Sequence, residues 1–293
     1  MKQAERNYFF GLPGEKLYVQ EWGDLDKPVI LLVHGFPGCA EQGRLLTSTP
    51  LLSSFRLIAM DRPGYGQSES QNKITPLKFA KQAKDLLNYL NIQTVSILSV
   101  SGGAPYAMAL AFILKKRVLK MTSVAGVAPL TRKNFKFMNK QQKKAWVLQN
   151  LIPQKVLKLG LNRIWKSGLD KIDQHLFTEM ESFSEADKIV FQHPEVGPML
   201  LKTLKISLSG GPDGILQDMK TYSKSWGFSF AGITCPVTLW HGTKDDVVHF
   251  KFAEDMKKNI PHATFNVMAG EGHYSLPMNC RDAIISDLLQ AEF

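Results

Sequence analysis

Four short stretches of this sequence hold residue types that could do chemistry together. The first is Ser99-Val100-Ser101-Gly102-Gly103. Small residues two positions either side of a serine suit a sharp strand-to-helix turn. Such a turn strains the middle residue and projects its hydroxyl. Ser101 is that residue, and a helix starting behind it would favour developing negative charge. The same pattern also fits an unreactive serine-glycine turn. The second stretch is Gly242-Thr243-Lys244-Asp245. An aspartate there can fix the tautomer of a histidine and stabilise its cation. It can equally bond its own backbone. Asp246 competes for the role, and Asp245 is preferred because it comes first after the turn. The third is Gly270-Glu271-Gly272-His273, where a histidine on a glycine-rich loop could take a proton from a serine or simply be solvated. The fourth is His34-Gly35-Phe36-Pro37-Gly38. Its Phe36 N–H and the N–H of Gly102 are candidate donors to an oxyanion. The Phe36 ring also suits a pocket wall, and His34 reads as a structural histidine bonding its own loop.

These stretches need elements to hold them. Each follows a strand-length apolar run: PVILLVHG at 28–35, TVSILSVS at 94–101, PVTLWHG at 236–242 and ATFNVMAG at 263–270. Further strands are expected at 8–12, 16–22, 55–61 and 118–126. Runs this apolar are covered on both faces, as in a parallel sheet. The spacers fit helices. Thr75 and Pro76 start one that runs to about Leu90, and residues 103–115 are apolar on every side, as a buried helix requires. Amphipathic helices are expected at 249–259 and 280–291. The alternation predicts a doubly wound, mostly parallel eight-stranded α/β sheet. Residues 129–205 break the rhythm with helical patterns and no strand, and Ser184 with Asp187 resembles a capping box. The expected organisation is a core of 1–128 and 206–293 with a helical insertion at 129–205.

Composition narrows the function. With 293 residues, 44% hydrophobic and 21% charged, the chain is neither disordered nor fibrous. The net charge of +10 suggests nucleic acid, but residues 129–171 alone hold eleven basic and one acidic side chains. No nucleic-acid module accompanies them. The basic stretch reads either as a solvated helix face or as a surface that draws anionic substrates toward a pocket. Cys39, Cys235 and Cys280 have neither disulfide-framework nor zinc spacing. No membrane span and no secretory signal are legible, so a cytoplasmic location is expected.

In chain order HGFPG, DRPGYGQS, SVSGG, GTKD and GEGH resemble the alpha/beta hydrolase fold superfamily, across roughly 8–128 and 212–293. The resemblance implies a Ser101, Asp245, His273 triad in that order. It implies a structural loop at 61–68 and a helical cap at 129–205. It also implies a serine hydrolase acting on a small-molecule ester, with no metal or organic cofactor. Ser99 stands where the elbow has its first glycine. Relatives that hydrolyse epoxides or haloalkanes use an aspartate nucleophile, and Ser101 disfavours those activities. Proline iminopeptidases carry HGGPG and a tryptophan in the elbow, where this chain has Phe36 and Val100. An aminopeptidase or amidase of that type stays open, as does a non-catalytic receptor on the same scaffold. Phe135, Trp146, Trp165, Phe177 and Phe183 could line an acyl pocket or pack the cap onto the sheet.

Overall fold

The computed structural model describes residues 5–168 and 180–290. Eight strands form one sheet: β1 (Glu5–Phe10), β2 (Leu17–Trp22), β3 (Val29–Val33), β4 (Arg56–Met60), β5 (Val95–Val100), β6 (Val118–Val124), β7 (Val237–Gly242) and β8 (Ala263–Met268). Their order is β1-β2-β4-β3-β5-β6-β7-β8. β2 pairs antiparallel with β1 and β4, and every other neighbouring pair is parallel. The expected doubly wound sheet is the observed one.

The apolar runs explain why. β3 and β4 are buried along their whole length. Leu31 and Val33 join one core cluster while Ile30 and Leu32 join another. Successive side chains therefore feed opposite faces of the sheet, and helices must cover both. On one face lie α1 (Pro76–Tyr89) and α2 (Ala104–Leu114). Thr75 caps α1 by accepting the Lys78 N–H at 3.1 Å, as its sequence predicts. Almost every side chain of α2 is buried.

Between β6 and β7 come α3 (Lys140–Leu151), α4 (Gln154–Gly168), α5 (Glu185–Gln192), α6 (Val196–Leu208) and α7 (Asp213–Tyr222). No strand occurs among the described residues of this segment. Asn139 and Gln142 form a reciprocal capping box at the start of α3. At α5 the cap is one-sided. Ser184 accepts the Asp187 N–H at 3.2 Å, but the Asp187 carboxylate does not return to the cap. Helices α8 (Lys251–Asn259) and α9 (Arg281–Leu289) complete the sheet's cover. Among the described residues, no helix is long and apolar enough to cross a membrane.

The strand order places the site. From β3 the chain reaches β4 on one side, then returns to β5 on the other. This reversal opens a crevice beyond the carboxyl ends of β3 and β5, where ligands bind in open α/β sheets. The loop 34–38 leaves β3 there, and Ser101 leaves β5 beside it.

Candidate active site

Ser101 follows β5 directly and has φ 51°, in the left-handed region. A non-glycine residue there costs about 1–3 kcal/mol and persists only where its surroundings enforce it. The surroundings are tight. A Cβ on Gly103 would run into the Val33 carbonyl oxygen, and one on Gly102 would lie 2.5 Å from the Phe36 Cβ. The Ser101 carbonyl accepts the Val127 N–H at 3.2 Å. Ser99 is fully buried against β6, so its small side chain serves where a glycine was expected.

Three of the sequence candidates meet in one hydrogen-bonded chain. His273 Nε2 lies 2.9 Å from Ser101 Oγ, and its Nδ1 lies 2.8 Å from Asp245 Oδ2. An ionised carboxylate only accepts, so Nδ1 carries the proton and Nε2 accepts the serine O–H. All three side chains are buried. Asp245 Oδ1 accepts the N–H groups of Val247 at 3.0 Å and Val248 at 2.7 Å. Asp246 is exposed and takes no part. Burial works against charge on Asp245, but the neighbouring His273 and His241 hold its carboxyl well below the usual range. Burial likewise opposes the His273 cation, and Asp245 outweighs it, so the imidazole pKa is raised.

Phe36 and Gly102 lie side by side at this crevice, too close for a Cβ on Gly102 to fit beside that of Phe36. Tyr222 donates its hydroxyl to the Gly102 carbonyl at 3.0 Å and meets the Phe36 ring edge-on. His34 is fully buried; its Nδ1 bonds the Gly35 carbonyl at 2.9 Å and its Nε2 accepts the Arg62 N–H at 3.0 Å. Burial and the Arg62 charge push its pKa far down, so it stays neutral. It is structural, as expected.

Sequence reasoning missed four contributors. His241 Nε2 lies 3.1 Å from the oxygen of Asp245 that His273 uses. Its position four residues before Asp245 was the available signal. Asp218 on α7 binds Arg62 at 2.5 Å, Tyr65 at 2.8 Å and Tyr106 at 2.5 Å. Arg62 in turn donates to the carbonyls of His34 and Gly35. The loop 61–68 thus braces the 34–36 loop from behind. Tyr222 and Asp187 are the other two, and neither stands in a turn that would mark it.

A cavity of about 120 Å³ opens at Ser101 and His273. Its walls are Leu46 and Val100 from the sheet side, Phe191 on α5, and Leu200 and Leu204 on α6. Among the described residues lining it, none is acidic, and none is basic apart from His273. The four described aromatic candidates are not among its lining residues. Trp146 donates to the Leu130 carbonyl and packs on Phe135, and Trp165 donates to the Leu208 carbonyl. Phe183 packs, tilted, against the rings of Phe191 and Tyr274. Phe177 lies outside the described residues.

A buried serine, histidine and aspartate at the switch point of a doubly wound sheet is the arrangement of a hydrolase fold. The chain belongs to the alpha/beta hydrolase fold family, whose model it matches over residues 28–278. It is 31% identical over 118 residues to an uncharacterized hydrolase of Saccharomyces cerevisiae, spanning 39% of this chain and 40% of that protein. It is 23% identical over 243 residues to the bifunctional esterase/perhydrolase of Acinetobacter calcoaceticus, covering 82% of each. The esterase of Exiguobacterium antarcticum has the same fold, with a TM-score of 0.69 at 20% identity over 97% of this chain and 98% of that one.

Proposed function

We propose that the protein is a serine hydrolase that cleaves a small-molecule carboxylic ester through an acyl-enzyme on Ser101. The observation that carries this reading is the hydrogen-bonded chain from Ser101 through His273 to Asp245, opening into an apolar cavity. His273 takes the Ser101 proton as the oxygen attacks the ester carbonyl carbon. Asp245 keeps the imidazole in the tautomer with Nδ1 protonated and stabilises its cation. The N–H groups of Phe36 and Gly102 receive the oxyanion, assisted by the start of α2. His273 then protonates the leaving alcohol. It next deprotonates a water that attacks the acyl-enzyme, and the acid leaves with Ser101 restored. Residues 129–205 act as a helical cap on a core of 1–128 and 206–293, supplying Phe191, Leu200 and Leu204 to the acyl pocket.

The cavity favours an ester over an aminoacyl amide. An aminopeptidase must hold the substrate's ammonium group, and a buried cation needs a partner. No carboxylate among the described lining residues offers one. A receptor that only binds would need neither the strained backbone of Ser101 nor a proton acceptor on its hydroxyl.

The test is labelling by a fluorophosphonate probe beside a panel of aryl esters and aminoacyl amides. Labelling should map to Ser101, and short and medium acyl esters should be cleaved ahead of prolyl amides. Ser101→Ala should lower turnover by about four to six powers of ten and abolish labelling. Near-normal hydrolysis by Ser101→Ala, or folded protein that resists the probe, would overturn the reading.

A further inference from the structure

A second carboxylate stands behind His273, outside the chain that runs to Ser101. Asp187 is fully buried. Its Oδ2 accepts the His273 N–H at 2.9 Å, and its Oδ1 accepts those of Tyr274 and Ser275, both at 2.8 Å. Three consecutive backbone donors thus wrap one carboxylate. The loop is shaped to let it in. A Cβ on Gly272 would strike both Asp187 Oδ2 and Ser184 Oγ, and the Gly272 N–H is turned away to Ser275 Oγ at 2.8 Å. Asp187 reaches the loop from α5, in the segment between β6 and β7, with its own N–H held by Ser184. One helical turn further along α5, Phe191 lines the cavity and meets the Tyr274 ring at 4.8 Å. The same short helix therefore touches the substrate space and the loop that carries the base.

We propose that Asp187 is a positioning residue for His273. It holds the imidazole-bearing loop in line with Ser101, and its negative charge adds to that of Asp245 in favouring the imidazolium formed during attack. The proposal rests on the hydrolase reading above. The charged and titratable groups facing His273 are Asp245, with His241 beyond it, Asp187 and the Ser101 hydroxyl. The edge of Tyr274 also approaches the ring at 5.2 Å. Burial opposes the imidazolium, and Asp245 first and Asp187 after it act in its favour. A bystander that only tethers the helix would change stability and leave the proton affinity of His273 where it was.

The experiment follows His273 by NMR in histidine-labelled protein and compares it with the pH profile of kcat/KM on an aryl ester. In Asp187→Asn the imidazole should titrate at lower pH than in the parent, and the acidic limb of the profile should follow it. Turnover should fall about 10- to 100-fold with KM little changed, because a small misplacement of the base is felt mainly in the chemical step. Asp187→Glu, which keeps the charge, should restore the parent titration more than it restores turnover. If Asp187→Asn does not fold, Gly272→Ala serves instead, since its Cβ displaces the carboxylate while leaving the residue in place. A folded variant whose His273 titration and acidic limb match the parent overturns the proposal. The titration needs no turnover, so a parent that fails to label at Ser101 sinks the hydrolase reading without deciding the role of Asp187.

Discussion

Ser101, His273 and Asp245 come from loops 172 and 28 residues apart, yet their polar atoms fall within hydrogen-bond distance. The pH dependence follows from their charges. In the proposed mechanism attack requires neutral His273, and its pKa is raised above the ordinary value of about 6.5. kcat/KM should therefore rise with pH through a midpoint above that value, as read from a profile between pH 5 and 9. Asp245→Asn removes the charge that favours the cation, so the midpoint should move to lower pH. Turnover should also fall about 10⁴-fold, because Nδ1 loses the acceptor that fixed its proton. These three residues were legible because each sits in a glycine-rich turn after a strand, at the sheet edge where ligands bind. Asp187, Asp218 and His241 were not. They lie inside helices or a strand; the partners of Asp187 and Asp218 are distant in sequence, and His241 sits at the end of an apolar strand that gives no sign of its bond to Asp245 four residues on. Ser184 and Asp187 show how local reading stops short. The spacing does mark a helix start, but the carboxylate has gone to a loop 86 residues away.

At the level of elements, the strands were legible because unbroken apolar runs ending in turns have few other solutions. Their order was not, since pairing depends on crossovers that leave no local trace. The loop from Asp61 to Ser68 is the instructive case. The family resemblance implied a structural loop, but not what it packs against. Arg62 is fully buried between the His34 and Gly35 carbonyls and Asp218 on α7. Breaking a buried pair leaves an uncompensated charge. Asp218→Ala should therefore lower stability by about 3–5 kcal/mol in a denaturant titration. Part of the turnover should go with it, because the 34–36 loop loses its backing. Gly103→Ala should be poorly tolerated for a different reason. The obstacle is the Val33 carbonyl, which belongs to a central strand and cannot move aside.

Across the whole molecule, the +10 charge was the most conspicuous number in the sequence and the least informative about the site. Three of the basic side chains of 129–168 have partners away from the cavity. Lys158 pairs with Asp213 at 2.6 Å, and Lys136 and Lys143 lie over the rings of Phe137 and Phe135. The described cavity wall carries no lysine or arginine. Hydrolysis of a neutral aryl ester should then change less than about twofold between low and high salt, since surface charges are screened over a few ångströms at molar ionic strength. A monoester of a dicarboxylic acid should gain no preference over its neutral analogue in the same assay. A strong, salt-sensitive preference for the anionic ester would assign the basic face a role in substrate entry.

The segment between β6 and β7 reaches the site at three separate points. Asp187 holds the histidine loop, Asp218 holds the arginine behind the 34–36 loop, and Tyr222 holds the Gly102 carbonyl. A replacement for this segment would have to reproduce all of them at once. Exchanging this segment to alter substrate preference should cost catalysis wherever an anchor is lost. On the proposed reading, selectivity and reactivity would be inherited only together.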